Sequence, residues 1–162
     1  RSTGEKIDSP KPLKKYLQRL RRRSRSHSRK QKGSANRRKS ARKLAKLHAR
    51  ITHIRQDWTH KTTTELTRRF AVIGIEDLHV RGMVANEKRA RSINDIGFYE
   101  FRRQLEYKAA RSGSTVVVVN RWFPSSKTCS ICGVKAAVMP LSVREWTCAH
   151  CGAEHDCDVN AA

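Results

Sequence analysis

Four cysteines stand in two pairs, Cys129-x-x-Cys132 and Cys148-x-x-Cys151, with 15 residues between the pairs. Thiolates two residues apart can meet one tetrahedral ion when the backbone between them turns sharply, and Gly133 and Gly152 directly follow the pairs. The spacing predicts a zinc ribbon, two knuckles with a hairpin between them. Four sulfurs close the site and make it structural rather than catalytic. His150 and His155 are alternative ligands that a complete cysteine set does not need. Cys157 is the odd thiol, expected to be a small buried residue. The second pair runs directly into "GAEHDCDVNAA", which places Asp156 and Asp158 at what reads as the start of a helix. These acids either cap that helix or belong to a second metal site. Glu76, near the end of "FAVIGIED", is the other candidate. Carboxylates can hold the two divalent ions, about 4 Å apart, that cleave phosphodiesters. Taken alone, each acid reads equally well as a cap or as the partner of a lysine.

The elements that would position these groups follow from periodicity. "FAVIGIED" is a continuous apolar run with acids at its end, the pattern of a buried central strand, and "STVVVVN" is a second such strand. Between them, "NDIGFYEFRRQLEYKAARSG" reads as one helix with Ile96, Phe101, Leu105 and Ala109 on a face and Gly113 past its end. Strand, helix, strand predicts a parallel crossover and an α/β fold. Two strands do not make a stable sheet. Partner strands are therefore expected upstream, and the start at Arg1 and the stop at Ala162 both read as cuts.

The remaining signal is charge. Of the 36 Lys and Arg residues, 24 lie in the first 70 positions with only 4 acids, while residues 71–162 are nearly balanced. Basicity confined to one segment suits a surface laid along a polyanion, and nucleic acid is the expected partner. "GEKIDSPKPL" reads as a strand tail or turn leading into a first helix with Leu13, Tyr16, Leu17 and Leu20 on one face. "RRRSRSHSRKQKGS" breaks the apolar pattern and predicts a loop around Gly33. A second helix, from Ala35 to Phe70, carries Leu44, Leu47, Ile51, Ile54, Trp58, Leu66 and Phe70 on one stripe and would be roughly 50 Å long. The two helices form a hairpin with cations outward. Arg21, Arg22, Arg23, Arg37, Arg38 and Lys39 are the candidates for phosphate contacts, with Lys127 beside the first knuckle. Trp122 and Phe123 either stack on bases or pack the ribbon against the sheet, with packing preferred. The basic stretch lacks the broad apolar face of an interfacial helix, and no stretch is long enough to span a bilayer, so membrane is not an expected partner.

The segments "NRRKSARKLAKLHARITHIRQDWTHKTT", "IGIEDLHVRGM", "LEYKAA", "RWFPSSKTCSICG" and "REWTCAHCGAEHDCDVNAA" together resemble the OrfB/TnpB-type transposase proteins of prokaryotic insertion sequences. The resemblance covers nearly the whole chain in family order. It implies an incomplete RNase H-like domain of the RuvC type interrupted by a zinc ribbon, and a magnesium-dependent DNA endonuclease guided by RNA, in the prokaryotic cytoplasm. On this resemblance the segments divide as 1–70, strand end and basic hairpin; 71–120, RuvC-like core; 121–152, zinc ribbon; and 153–162, the start of a C-terminal helix. Glu76 matches the catalytic glutamate, Asp158 the last catalytic aspartate, and Cys129, Cys132, Cys148 and Cys151 the zinc ligands. Asp156 is expected to cap or support Asp158. Two departures matter. Cys157 stands where the family usually has Arg, and the first catalytic aspartate, on an early strand, has no counterpart; Asp8 follows that strand in a turn. The chain by itself is therefore expected to bind nucleic acid and to cleave poorly or not at all. The alternative is a non-catalytic nucleic-acid-binding remnant.

Overall fold

The computed structural model describes residue 5, residues 7–140 and residues 142–161. Of the strand tail or turn expected over "GEKIDSPKPL", Gly4 and Lys6 lie outside them, and residue 5 and residues 7–11 belong to no helix or strand before Pro12 opens the first helix. The fold divides into two compact units. One takes in Ser9–Ile73 and Leu78–Val117, and the other Gly74–Asp77 and Val118–Ala162.

The first unit is helical. Helix α1 spans Pro12–Ser28 and α2 spans Ala35–Arg69. They form an antiparallel hairpin: Arg23 Nη1 donates to the Lys43 carbonyl, and farther along the pair Arg50 lies over the Tyr16 ring. Leu47 and Ile51 are buried on α2. The long second helix is as expected, and Ser34 caps it by accepting the Arg37 amide. The first helix is not. It runs on through "RRRSRSHS", where a loop is expected, because its half-buried stripe continues after Leu20 with Arg23 and His27. Arginine is a good helix former, and both side chains carry enough carbon to cover a partner helix; the Arg23 guanidinium ends on the Lys43 carbonyl and His27 Nδ1 is buried.

The N-terminus of α1 is held from a distance. Lys11 precedes it at φ 43° and supplies no side-chain cap. The carboxylate of Asp95 instead accepts the Leu13 and Lys14 amides at 3.0 and 3.1 Å, and it also takes Arg55 Nη2 at 3.1 Å. Asp95 is buried, so one carboxylate satisfies the orphan amides of α1 and anchors a guanidinium from α2.

The helix expected over "NDIGFYEFRRQLEYKAARSG" is broken in two, and a further short helix precedes it. Helix α3 is Val80–Ala85, α4 is Glu87–Ile96 and α5 is Phe98–Ser112. The break falls at Gly97, whose φ of 74° ends α4 in the left-handed region open to glycine. Helix α5 packs on α2 through Leu105 and Ala109, beside a polar seam of Thr59, Thr63, Thr67 and Gln104 that is also buried. Lys108 Nζ closes that seam, donating to the His60 carbonyl and to the hydroxyls of Thr63 and Thr64 at 2.7–2.8 Å. Burial pulls its ammonium below the ordinary lysine value.

Strands β1 (Val72–Glu76) and β2 (Thr115–Val119) pair with each other. Their alignment is parallel, since Thr115 donates to Ala71 at one end and Asp77 to Val119 at the other. The strands are where expected, but their burial is not. Only Ile73 is buried on β1, and Val72, Val117 and Val118 are exposed. Apolar runs predict strands covered on both faces, and a two-stranded pair leaves much of each face uncovered.

In the second unit the ribbon has its hairpins at the knuckles rather than between them. Strands β3 (Glu145–Thr147) and β4 (Glu154–Asp156) pair antiparallel around the second cysteine pair. A Thr128–Lys135 bridge brackets the first pair in the same way. Helix α6, Cys157–Asn160, follows β4 directly. Its N-cap is Asp156, whose carboxylate accepts the Asp158 and Val159 amides at 2.9 and 3.0 Å.

Candidate metal centres and nucleic-acid face

The two knuckles are near copies. Cys129 exchanges backbone bonds with Val134 and Gly133, and Cys148 does the same with Ala153 and Gly152. Gly133 and Gly152 close each turn at φ 72° and 74°, where a β-carbon would strain the backbone. The four sulfurs come together with all ligand atoms within 4.8 Å of one another. Cys129 and Cys151 stand 3.6 Å apart, as do Cys132 and Cys148. A tetrahedral zinc with bonds of about 2.3 Å sets sulfurs about 3.8 Å apart, so the donor set fits that ion.

Electrostatics points the same way. The backbone amides of Cys151 and His150 draw the Cys148 thiol down to about 6. Cys129 is lowered too: burial opposes the shift, but the amides of Cys132 and Ile131 outweigh it. In Cys132 the Val134 amide pulls down, yet burial and the neighbouring thiols push the group up to about 12. Cys151 is raised as well, burial and the Cys129 and Cys148 thiols prevailing over the Ala153 amide. Charge formed on one sulfur thus opposes ionisation of its neighbours. A divalent cation among the sulfurs removes that penalty.

His155 is outside this ligand set. Its Nε2 lies 3.1 Å from Cys129 Sγ, placed to donate to the thiolate, and its ring packs on Trp146 at 4.8 Å between centroids. Cys157 is buried, with its thiol toward the Val143 carbonyl, away from the four sulfurs.

The acids lie in the same unit as the ribbon. Glu76 ends β1 in an exposed position, and its Oε1 is 3.4 Å from the Ser125 hydroxyl. Ser125 opens a short 3-10 turn, Ser125–Lys127, on the approach to the first knuckle. Asp158 stands on α6, two residues before Asn160, whose side-chain amide donates to the Ser125 and Thr128 carbonyls. Asp77, next to Glu76, is paired with Arg121, whose Nε donates to it at 3.1 Å. Neither Asn160 nor Ser125 is among the residues that the sequence marks as a site. "DVNAA" was the available signal for the first.

Trp122 and Phe123 do not pack as preferred from the sequence. Asn120 closes the turn after β2 by taking the Trp122 and Phe123 amides, and the two rings are left 84% and 52% exposed.

The basic candidates separate by what holds them. Arg23 reaches the Lys43 carbonyl and Arg37 the Lys30 carbonyl, so both brace the helical hairpin. Arg21 and Arg22 are exposed and line a groove of about 990 Å³ with Arg19, Arg25 and Arg29. Lys39 lines a smaller groove with Lys30 and Lys43, and Arg38 is exposed on α2. Lys127 ends the 3-10 turn before the first knuckle.

A family model described as "Probable transposase", OrfB_IS605, matches residues 1–87, more than half of the chain. The chain belongs to the OrfB family. A second model, "Cas12f1-like, TNB domain", matches residues 98–162 of this OrfB chain, the stretch that holds the four cysteines and Asp158. A Streptomyces pristinaespiralis protein named "Putative RNA-guided DNA endonuclease" is 53% identical over 99% of the chain, which covers 40% of that relative. InsQ of Escherichia coli K12, named in the same way, is 36% identical over 99% of the chain and 44% of its own length. The OrfB chain thus spans about two fifths of these curated relatives. In fold it is similar to a chain in the cryo-EM structure of a Cas12f1–sgRNA–target DNA complex. That match has a TM-score of 0.59 at 18% identity, covering 93% of this chain and 40% of the other. No helix among the described residues is long and apolar enough to cross a membrane.

Proposed function

We propose that this chain is the RuvC-like, RNase H-type portion of an RNA-guided DNA endonuclease borne by an insertion sequence. It would work in the prokaryotic cytoplasm on DNA and a guide RNA. The observation that carries this reading is the meeting of Glu76 and the Asp158-bearing helix on one turn. Ser125 touches the first acid with its hydroxyl and holds the second acid's helix with its carbonyl.

Glu76 and Asp158 offer hard oxygen donors of the kind magnesium prefers, and they are the residues that would hold it. Bound there, magnesium would supply charge stabilisation at a phosphodiester under attack. The chain's own part is to place the two carboxylates at the end of β1 and on α6, and to keep the neighbouring Asp77 engaged by Arg121. The four cysteines hold structural zinc that shapes the ribbon. Arg21, Arg22, Arg38, Lys39 and Lys127 face the polyanion, while Arg23 and Arg37 shape the hairpin presenting them. The exposed rings of Trp122 and Phe123 suit stacking on unpaired bases.

The test is a graft. This chain replaces the matching 161 residues of the Streptomyces relative, and guide-directed DNA cleavage is measured. The expected result is cleavage by the chimera that Glu76→Ala or Asp158→Ala reduces at least a hundredfold while binding persists. A parent that cuts beside a folded, zinc-loaded chimera that only binds would instead make this chain a non-catalytic nucleic-acid-binding remnant.

A further inference from the structure

Asn160 spends nearly all of its side-chain bonding capacity on one neighbour. Its Nδ2 donates to the Thr128 carbonyl at 2.7 Å and to the Ser125 carbonyl at 3.1 Å, and its Oδ1 accepts the Ser130 amide at 3.0 Å. These three groups span the 3-10 turn and the entry of the first cysteine knuckle, 30–35 residues back along the chain. An amide with three bonds to one short segment is a clamp in which geometry is fixed on both sides.

What it clamps is a helix too short to hold itself. Helix α6 has four residues, and a single turn has little stability of its own. Asp156 caps its first amides and Cys157 donates its own amide to the Arg144 carbonyl, so the start of the turn is tied to the β3–β4 side, while Asn160 ties its end to the first knuckle. Asp158 rides on that turn. On the other side, Ser125 contacts Glu76. A path of four residues therefore links the acids: Glu76, Ser125, Asn160 and Asp158.

We propose that Asn160 is the positioning residue that hangs the Asp158 helix on the cysteine ribbon and registers it against Glu76. This rests on the acid-pair reading above and adds how that pair is assembled. The ribbon then acts as a scaffold for the acids: its first knuckle presents the carbonyls and the amide that Asn160 grips.

The experiment uses the full chain, zinc-loaded, as wild type, Asn160→Asp and Asn160→Ala. The aspartate variant keeps an acceptor for Ser130 and deletes both donors. Zinc content and the thiolate-to-metal bands of the cobalt-substituted protein report on the ribbon. Amide resonances of Asp158 and Val159, with their exchange protection, report on α6. Mn²⁺ binding by electron paramagnetic resonance reports on the acids, with Asp158→Asn as control. Both Asn160 variants are expected to keep one zinc and the cobalt bands, to lose amide protection at Asp158 and Val159, and to bind Mn²⁺ at least tenfold more weakly. Unchanged amides and unchanged Mn²⁺ affinity would overturn the proposal. So would loss of zinc in either variant, because Asn160 would then belong to the ribbon's own folding. Mn²⁺ binding that is absent, or indifferent to Asp158→Asn, refutes the acid pair instead, and the amide resonances alone then decide the role of Asn160.

Discussion

Asp95 shows how much one side chain can organise. The first turn of α1 is Pro-Leu-Lys-Lys, with cations where the helix dipole favours an anion. Asp95 supplies that anion from about 80 residues away and accepts two amides and a guanidinium while 3% exposed. Removing it orphans the amides and strips Arg55 of its counter-charge. Asp95→Ala should therefore destabilise the helical unit by about 3 kcal/mol. Asp95→Asn, which keeps one oxygen acceptor, should cost less. Urea unfolding followed by helical circular dichroism measures both, and equal stability of all three proteins would remove Asp95 as the anchor. Nothing in the sequence marks this residue, since its spacing to Leu13 carries no local pattern. The cysteines are the opposite case: zinc needs ligands two residues apart, so their chemistry is legible in the spacing itself. Glu76 and Asp158 are singled out by resemblance and not by spacing, and their joint role rests on the proposal above. The Ser125–Asn160 link was hidden because its bonds close over more than thirty residues.

The helices were legible where apolar residues marked the stripe, as along α2, and illegible where arginine and histidine took its positions, as in the second half of α1. Gly97 split the helix expected to cross between the strands, because one left-handed residue outweighs a face that continues on both sides. Helix α5 carries its own electrostatic support. Arg103 first, then Gln104, donates to Glu100, and its carboxyl falls from the usual 4.5 to about 2. A carboxylate depressed in the folded state adds stability that is complete above its unfolded pKa and vanishes as pH falls through the folded one. Its side chain is 35% exposed and Arg103's 52%, so solvent screens the pair and the effect is modest. Thermal midpoints of the wild type and Glu100→Gln should differ near neutral pH and converge as pH falls from about 4.5 to about 2. A gap that stays constant through that window would show that the Glu100 charge contributes nothing.

For the whole chain the decisive quantity is the net charge of +22, because self-repulsion of that size opposes compactness unless a polyanion offsets it. Most of it sits on a hairpin whose cations play two roles that binding data can separate. Arg21 and Arg22 border the α1 groove, whereas the guanidinium of Arg23 is committed to the Lys43 carbonyl. Nucleic-acid affinity should therefore fall steeply with salt, each phosphate contact adding about 0.9 to the slope of log K against log salt on duplex and about 0.7 on single strands. Replacing Arg21 and Arg22 together by alanine should lower that slope by about 1.5 to 2 and leave the unfolding midpoint unchanged. Arg23→Ala should do the reverse, loosening the hairpin by about 1 kcal/mol while moving the slope little. Salt titrations on RNA and duplex DNA, run beside urea unfolding, give both numbers for each variant. If all three arginines changed the slope alike, the hairpin would be a diffuse cloud of charge rather than a face with assigned contacts. The unequal outcome would mean that helix packing has already chosen which cations are left for phosphate.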